Sequence, residues 1–270
     1  MCAYRLFAID LDDTLLNSSH AVSERNVKAL NAVRNQGGIV ILASGRMAAT
    51  MKPTADLLEI TTPLICYNGA IVRDRISGKD IMKQTVPIEL SNEVMQFASD
   101  NNLQLNFYEG DSVYSEKETE WMQLYAKRTG AKFIIIPDFM QQLKGLSPIK
   151  LIIVDSPQNI ERLLPEMQER YSGRLNVMRS NSEYLEFLPL LANKGSALEF
   201  VANMFNVDIR DTVAIGDSWN DIPMLQRAGL GVAVGNAKPE VQASAGMVVS
   251  TSDDDGVAEA LEKLFHFEWR

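Results

Sequence analysis

The chain has 270 residues, enough for two domains, and its 46% hydrophobic and 23% charged residues are ordinary for a globular protein. Its formal net charge of −9 argues against a nucleic-acid partner, because nucleic-acid-binding proteins present a basic surface. No apolar run approaches the roughly 18 residues of a membrane span, and charges interrupt the N-terminal stretch where a signal peptide needs an apolar core. We therefore expect a cytoplasmic protein without a membrane partner.

The first predicted element is a short buried strand that ends in acidic residues. Leu6 to Ile9 is a continuous apolar run, typical of a parallel strand that is covered on both faces. Asp10, Asp12 and Thr14 follow, and ligands of open α/β sheets bind at the carboxyl ends of strands. Close carboxylates repel one another unless a cation lies between them, and Mg²⁺ is a natural oxygen-bound cation. The alternative is a solvated acidic turn.

A strand–helix alternation continues from this point. Ile39 to Ala43 is a second apolar run, and it leads into Ser44-Gly45-Arg46. We expect the helix that follows to break or kink at Pro53, because proline cannot donate a backbone hydrogen bond. Leu64 to Tyr67 is a third predicted strand. Alternating strands and helices predict a parallel, layered sheet.

The pattern changes in the middle of the chain. Residues 83–188 contain hairpin signals and amphipathic helices, and no motif there carries recognisable chemistry. We expect one of these helices, which holds Val94 and Ala98, to begin with Ser91 as its N-cap. We interpret this block as a separate α/β domain inserted into the first domain.

The strand–helix alternation returns near Asn193. A predicted helix begins at about Gly195, beside Lys194. Thr212 to Ile215 then forms a buried strand, and Gly216-Asp217-Ser218-Trp219-Asn220-Asp221 follows it directly. The first domain is thus begun, interrupted and resumed.

Four polar clusters lie at predicted strand ends or helix starts of the interrupted domain. Phosphoryl transfer needs such a mixture: a nucleophile, a metal that neutralises phosphate oxygens, and cationic and hydroxyl donors. A carboxylate can be the nucleophile and form an aspartyl-phosphate, and a second carboxyl can protonate the leaving oxygen and later activate water. The clusters are Asp10/Asp12/Thr14, Ser44/Arg46, Lys194 and Asp217/Asn220/Asp221.

These segments resemble the four ordered motifs of the haloacid dehalogenase superfamily. The chain is most similar to its Cof-type phosphatases, which carry a large α/β cap between the second and third motifs. Asn68-Gly69-Ala70 and Gly235-Asn236-Ala237 resemble secondary signatures of that group. The resemblance implies an α/β fold with a Rossmann-like parallel-sheet core, residues 1–82 and 189–270, and an inserted α/β cap, residues 83–188, that selects the substrate.

The resemblance also implies a role for each site residue. Asp10 would be the nucleophile and a Mg²⁺ ligand, and Asp12 the general acid/base, with its backbone carbonyl on the metal. Asp217 would be the remaining protein ligand, and Asp221 would hold the metal site through water or hydrogen bonds. Thr14 would orient the acid/base. The residues expected at the substrate phosphate are Thr14, Ser44, Lys194 and Asn220.

The implied function is hydrolysis of a small phosphorylated metabolite, such as a sugar phosphate, by a Mg²⁺-dependent phosphatase. A phosphomutase acting on a sugar phosphate stays open, because it can share the nucleophile and the metal. A non-enzymatic phospho-acceptor signalling module also combines acidic residues, a hydroxyl and a lysine on a parallel sheet. Such a module, however, is about half this length or less.

Other classes fit the sequence less well. Gly216-Asp217-Ser218 resembles a serine-esterase block, but that block belongs near the N-terminus and needs a downstream Asp-x-x-His, which is absent. The spacing of Gly229, Gly231 and Gly235 is off by one for a dinucleotide-binding loop. The sequence also lacks the glycine-rich loop of a nucleotide triphosphatase.

Taken one at a time, several of the site residues have simpler interpretations. Lys194 alone would be a solvated lysine, Ser44 alone a helix N-cap, and Asp221 an N-cap only. Arg46 has the simple interpretation of a surface residue in a first helical turn, and we leave it outside the predicted site. The joint order and spacing of the motifs favour the site.

Overall fold

A computed structural model describes residues 4–265 and divides the chain into two compact units. The core unit is Met1–Met82 with Asn193–Arg270, and the inserted unit is Lys83–Ala192. The predicted core also included residues 1–3 and 266–270, which lie outside the described residues. The return to the core was predicted at Pro189 and lies at Asn193, because Pro189 still pairs with Leu175 in the inserted sheet.

The core unit begins with strands and helices that alternate. Ser23 caps the first helix, since its hydroxyl accepts a 3.1 Å hydrogen bond from Asn26 N. The elements are β1 (Leu6–Asp10), α1 (Glu24–Asn35), β2 (Ile39–Ala43), α2 (Ala48–Leu57), β3 (Leu64–Cys66), β4 (Ile71–Arg73) and β5 (Asp80–Lys83).

Of the two outcomes expected at Pro53, a break or a kink, the break does not occur. Helix α2 continues through Pro53 to Leu57. Proline removes one backbone hydrogen bond from a helix. Tertiary packing supplies most of the stability of a protein helix, and Met51 and Ala55 of α2 are fully buried on either side of the proline.

The inserted unit has a six-stranded sheet with its own hydrophobic core. The strand order is β10-β11-β9-β6-β7-β8, and the pairs are antiparallel except for the parallel pair β7 and β8. Phe107, Leu151 and Phe187 of this sheet are fully buried in one apolar cluster with helical residues. The elements are α3 (Ile88–Asp100), β6 (Gln104–Glu109), β7 (Ser112–Ser115), α4 (Glu120–Thr129), β8 (Phe133–Ile135), α5 (Phe139–Leu143), β9 (Lys150–Val154), α6 (Pro157–Arg170), β10 (Leu175–Asn181) and β11 (Tyr184–Pro189).

The first helix of the inserted unit begins earlier than predicted. Ser91 is not its N-cap, because Ser91 N donates a 2.8 Å hydrogen bond to Pro87 O inside α3. The apolar face of the helix reaches back to Leu90, which is buried with Val94 and Ala98. Burial of this additional residue favours the earlier start.

The second part of the core unit completes a mostly parallel sheet. The strand order is β14-β13-β12-β1-β2-β3-β4-β5, in which β14 to β3 run parallel and β4 runs antiparallel to β3. The predicted α/β fold, a parallel sheet interrupted by an α/β insertion, is confirmed. The elements are α7 (Lys194–Met204), β12 (Thr212–Gly216), α8 (Ile222–Arg227), β13 (Leu230–Ala233), α9 (Pro239–Ala243), β14 (Met247–Val248) and α10 (Gly256–Phe265).

Strand β1 lies at the centre of this sheet, with β2 on one side and β12 on the other. All five residues of β1 are buried, which explains its continuous apolar run. Of the helices between residues 4 and 265, none has both the length and the apolar character needed to cross a bilayer.

Candidate active site

The predicted site residues lie at the carboxyl edge of the core sheet. Asp10 is the last residue of β1, Ser44 follows β2, and Asp217 follows β12. These three strands are neighbours in the sheet and run parallel. The loops that leave them therefore meet at one edge, where ligands of open α/β sheets bind.

A cluster of three carboxylates occupies this edge. Asp10, Asp217 and Asp221 offer carboxylate oxygens that lie within 4.8 Å of one another, and Asp10 and Asp221 are buried. Burial and the nearby charge of Asp221 raise the pKa of Asp10 well above its ordinary value. The same two causes raise the pKa of Asp217 to about 7. Ionised together, these groups destabilise one another unless positive charge balances them.

Lys194 supplies one positive charge to the cluster. Its ammonium is fully buried and donates hydrogen bonds to Asp10 and, at 2.5 Å, to Asp221. Burial favours the neutral amine, but the charges of the two carboxylates outweigh burial and raise the pKa of Lys194 above its ordinary value. The lysine is therefore charged, and the interpretation of Lys194 as a solvated side chain is wrong.

The main chain around Lys194 is closely packed. Lys194 is the first residue of α7, and Asn193 caps this helix by accepting a 2.8 Å hydrogen bond from Ser196 N. Gly69 has a φ of +92° and lies against Asn193, so that a Cβ at residue 69 would be 2.2 Å from the Asn193 carbonyl oxygen. Only glycine fits this contact, which fixes the start of α7.

The donor set fits an oxygen-bound divalent cation. If all three carboxylates were ionised, they and the ammonium would together carry a net charge of −2, which a divalent cation would balance. Cations such as Mg²⁺ and Ca²⁺ prefer carboxylate oxygens. The side chain of Asp12 is not part of this cluster.

Asp221 also orders the loop that carries Asp217. Its Oδ2 accepts 3.0 Å hydrogen bonds from the backbone N–H groups of Asp217 and Ser218. Gly216 makes room for it, because a Cβ at residue 216 would lie 2.6 Å from the Asp221 side chain. Asp221 is thus more than a helix N-cap: it contacts Lys194 through one oxygen and the loop through the other.

Thr14 contacts the carboxylate cluster rather than Asp12. Its fully buried hydroxyl donates a 2.7 Å hydrogen bond to Oδ1 of Asp217. This hydrogen bond favours the ionised carboxylate and opposes the effect of burial on the pKa of Asp217. The structure therefore shows Thr14 in contact with Asp217, whereas the resemblance implied that it orients the acid/base.

The carboxylate of Asp12 forms an ion pair with Arg46, which sequence reasoning missed. Arg46 Nε lies 2.8 Å from Asp12 Oδ2, and Arg46 Nη2 contacts Oδ1. The simple interpretation of Arg46 is a surface residue in a first helical turn, but it precedes Met47, the N-cap of α2, and its guanidinium contacts Asp12. The available signal was the position of Arg46 two residues after Ser44, at the end of the strand next to β1.

Ser44 and Asn220 complete the set of predicted residues. Ser44 is buried, and its hydroxyl accepts a 3.1 Å hydrogen bond from Arg46 N, whereas Met47 is the N-cap of α2. Asn220 Nδ2 donates a 2.9 Å hydrogen bond to Oδ1 of Asn68, a residue that the sequence noted only within a secondary signature. Asn68 is buried in a left-handed conformation with a φ of +55°, which asparagine tolerates better than most residues.

The chain matches the family model of haloacid dehalogenase-like hydrolases over residues 7–261. It belongs to this family. A solved haloacid dehalogenase-like hydrolase from Bacteroides thetaiotaomicron is 31% identical, with a TM-score of 0.85, over 97% of this chain and 100% of that one.

Curated relatives of this haloacid dehalogenase-like hydrolase have names that state an activity. Phosphatase YwpJ of Bacillus subtilis is 28% identical over 96% of this chain and 99% of its own length. An HMP-PP phosphatase of Yersinia pseudotuberculosis is 27% identical over 96% of this chain and 94% of its own length. The predicted family is confirmed, and these names agree with the prediction of a phosphoric monoester hydrolase.

Proposed function

We propose that this hydrolase is a Mg²⁺-dependent phosphatase that acts on a small phosphorylated metabolite through an aspartyl-phosphate on Asp10. The cluster of Asp10, Asp217 and Asp221, with the buried ammonium of Lys194 beside it, is the observation that carries the proposal. Its position at the carboxyl edge of a parallel sheet and the names of the relatives support it.

The residues present would hold the metal and the phosphate as follows. Asp10, Asp217 and Asp221 would hold Mg²⁺ together with the backbone carbonyl of Asp12, and the bound ion would neutralise negative charge on the phosphate oxygens. The side chains expected to contact the transferring phosphoryl group are Ser44, Lys194, Asn220 and Thr14, whose hydroxyl also orients Asp217.

Two carboxylates at the end of β1 would carry the chemistry, Asp10 as the last residue of the strand and Asp12 in the loop that follows. A carboxylate oxygen of Asp10 attacks phosphorus, the ester P–O bond breaks, and Asp12 gives its proton to the leaving oxygen. Water then attacks the phosphorus of the aspartyl-phosphate while Asp12 takes a proton from that water. The P–O bond to Asp10 breaks, and inorganic phosphate and the free Asp10 carboxylate result.

The proposed substrate is a broad class of compounds. The name of the Yersinia relative states an HMP-PP substrate for that protein. For this chain we propose a small phosphorylated metabolite, with sugar phosphates as a candidate class and the cytoplasm as the expected location. A phosphomutase remains a second candidate, whereas membership in a hydrolase family argues against a non-enzymatic signalling module.

A screen of phosphorylated metabolites with purified protein would test the proposal. Release of inorganic phosphate should stop with EDTA and return with Mg²⁺, and Asp10→Asn should abolish turnover of every ester. Ser218→Ala is the control and should keep turnover, because Ser218 donates to Asp221 through its backbone N–H, which alanine keeps. Full activity without metal, or in Asp10→Asn, would contradict the proposal. An isomeric phosphate ester as the main product would indicate a mutase.

Asp12 is tested separately through the leaving group. Asp12→Ala should release p-nitrophenol from p-nitrophenyl phosphate in a burst of at most one equivalent, because p-nitrophenolate leaves without a proton. Slow turnover should follow, since the aspartyl-phosphate lacks its base. The same variant should show no burst with a sugar phosphate. Bursts with both substrates would show that Asp12 acts as a base toward water and does not act as an acid toward the leaving group.

The selecting role of the inserted unit is part of the proposal. The described residues of the carboxylate cluster and of the ion pair between Asp12 and Arg46 all belong to the core unit. Replacing residues 83–192 with a short linker should therefore keep hydrolysis of p-nitrophenyl phosphate and lose discrimination among metabolites. The intact chain is the control, and an unchanged ranking of substrates would contradict this role.

A further inference from the structure

Arg46 contacts Asp12 through two parallel hydrogen bonds. Nε of Arg46 lies 2.8 Å from Oδ2, and Nη2 contacts Oδ1, so that the guanidinium spans both carboxylate oxygens. A planar two-point contact fixes the rotation of a carboxylate as well as its distance, which an ammonium cannot do.

The main chain of Arg46 is anchored on both sides. Its N–H donates a 3.1 Å hydrogen bond to the hydroxyl of Ser44, and its carbonyl oxygen accepts a 3.0 Å hydrogen bond from Tyr67 N. Ser44 and Tyr67 are both buried. The backbone of Arg46 is therefore held in place, and its guanidinium extends toward the loop that carries Asp12.

The ion pair between Arg46 and Asp12 should contribute little to the stability of the fold. The side chains of Arg46 and Asp12 are 31% and 44% exposed, and exposed ion pairs contribute little to folding. The core unit holds a second pair of the same two-point geometry, in which Nε and Nη2 of Arg25 lie 2.9 and 2.6 Å from the carboxylate oxygens of Glu262. Arg25 on α1 is therefore a matched control.

We propose that Arg46 is a positioning residue that holds the Asp12 carboxyl in the orientation for proton transfer to the leaving oxygen and from water. Each carboxylate oxygen has two lone pairs, and the guanidinium uses one on each oxygen. A lone pair thus remains for the proton that Asp12 gives and takes back. This inference rests on the proposed role of Asp12 as acid and base.

Burst kinetics of Arg46→Ala test the inference. The burst rate with p-nitrophenyl phosphate should stay within about two-fold of the wild-type rate, because this leaving group needs no proton. The burst rate with a sugar phosphate should fall by roughly 10²-fold, the typical effect of a misplaced catalytic group. Arg46→Lys should lose most of this rate as well, since a lysine keeps the charge and loses the two-point contact.

Two further measurements separate positioning from a loss of folding. Guanidinium ion added to Arg46→Ala should restore part of the sugar-phosphate burst, and Arg25→Ala should leave both bursts unchanged. When Arg46→Ala is added to Asp12→Ala, the difference in burst rate between the sugar phosphate and p-nitrophenyl phosphate should not grow, because Arg46 acts through Asp12.

The outcomes that overturn the inference are distinct. Equal slowing of both bursts, or a rise in KM with both esters, would show that Arg46 binds the phosphate instead. If Asp12→Ala shows the leaving-group dependence and Arg46→Ala does not, the inference fails and the proposed function stands. If Asp12→Ala itself lacks the dependence, the proposed role of Asp12 fails and the inference with it.

Discussion

Thr14 and Asp217 are joined by a 2.7 Å hydrogen bond although they lie 203 positions apart in the chain. The hydroxyl of Thr14 donates to Oδ1 of Asp217, and the bond connects the loop after β1 to the loop after β12. Asp10 of the cluster is the last residue of β1, and Asp217 and Asp221 of the cluster follow β12. A residue that orients a metal-binding carboxylate affects metal affinity even when it does not touch the metal.

We expect Thr14→Val to weaken Mg²⁺ binding by roughly 10-fold, because the variant keeps the shape of the side chain and removes the donor. Thr14→Ser keeps a hydroxyl and should bind Mg²⁺ within about two-fold of the wild-type affinity. Isothermal titration calorimetry with Mg²⁺ measures both values. Equal affinity of the valine variant and the wild type would contradict the orienting role of Thr14.

The raised pKa of Asp217 predicts how stability depends on pH without metal. Its pKa of about 7 in the folded chain lies above the ordinary value of 3.8, so the folded state binds this proton more tightly than the unfolded state. The resulting contribution to stability is complete below about pH 4 and is lost as the pH rises through about 7. In EDTA, Asp217→Asn should therefore raise Tm at pH 8.

The expected rise corresponds to at least about 1 kcal/mol in the free energy of unfolding, or roughly 2–4 °C. Asparagine is a suitable replacement because its Oδ1 can still accept the hydrogen bond from Thr14. At pH 4 the variant and the wild type should have nearly equal Tm. With saturating Mg²⁺ at pH 8 the wild type should become the more stable protein. A lower Tm for Asp217→Asn in EDTA at pH 8 would refute the explanation.

Removal of the Lys194 charge should strongly destabilise the core unit. Lys194→Met keeps the length of the side chain and leaves Asp10 and Asp221 without their ammonium, at a cost of roughly 3–5 kcal/mol near pH 8. The cost should be smaller at pH 5, because Asp10 can then take up a proton.

Lys263→Met is the control for this charge. Lys263 is half-exposed and pairs with Glu259 one helical turn away, so its replacement should cost less than about 0.5 kcal/mol. Urea denaturation at pH 8 and pH 5 measures the free energy of unfolding of the wild type and of the two variants. Equal losses for Lys194→Met and Lys263→Met would show that the buried contacts contribute no more than an exposed pair.

Asn236 should matter more for turnover than for stability. Its Nδ2 donates a 2.7 Å hydrogen bond to the carbonyl of Asp13, and its Oδ1 accepts a 2.8 Å hydrogen bond from Ser252 N. The side chain is exposed, so Asn236→Ala should lower the unfolding free energy by less than about 1 kcal/mol. The loop that carries Asp12 loses a support, and we expect kcat to fall by about 10-fold.

Steady-state kinetics and thermal unfolding of Asn236→Ala give the two values. Asn203→Ala, on the outer surface of α7, is the control for replacement of an exposed asparagine and should change neither value. An unchanged kcat in Asn236→Ala, together with a large loss of Tm, would give Asn236 a purely structural role.

The buried strands of the core sheet could be predicted because burial on both faces leaves a local signature. Leu6 to Asp10 and Thr212 to Gly216 are fully buried, and both are apolar runs followed by acidic residues. The acidic segments that follow these strands resemble two of the ordered motifs of the haloacid dehalogenase superfamily, and that resemblance implies one site for both. Asp10 and Asp217 therefore could be assigned to one site from the sequence.

Contacts between distant parts of the chain left no such signature. A lysine at a helix start is usually solvated. Lys194 can be buried because Asp10 and Asp221, which lie 184 and 27 residues away in the sequence, pair with its ammonium. The pairing of Arg46 with Asp12 depends in the same way on the adjacency of β1 and β2. The break considered at Pro53 does not occur, because packing outweighs a single lost hydrogen bond.

The central position of β1 has a consequence for synthesis on the ribosome. Its partner β12 begins at Thr212, 130 residues after Met82, and translation at about 5–20 residues per second needs roughly 6–26 s for that distance. Until then one side of β1, a strand whose five residues are all buried in the folded sheet, is an open edge. We expect nascent chains arrested at residue 192 to hold a protease-resistant inserted unit and a protease-sensitive, chaperone-binding segment 4–82.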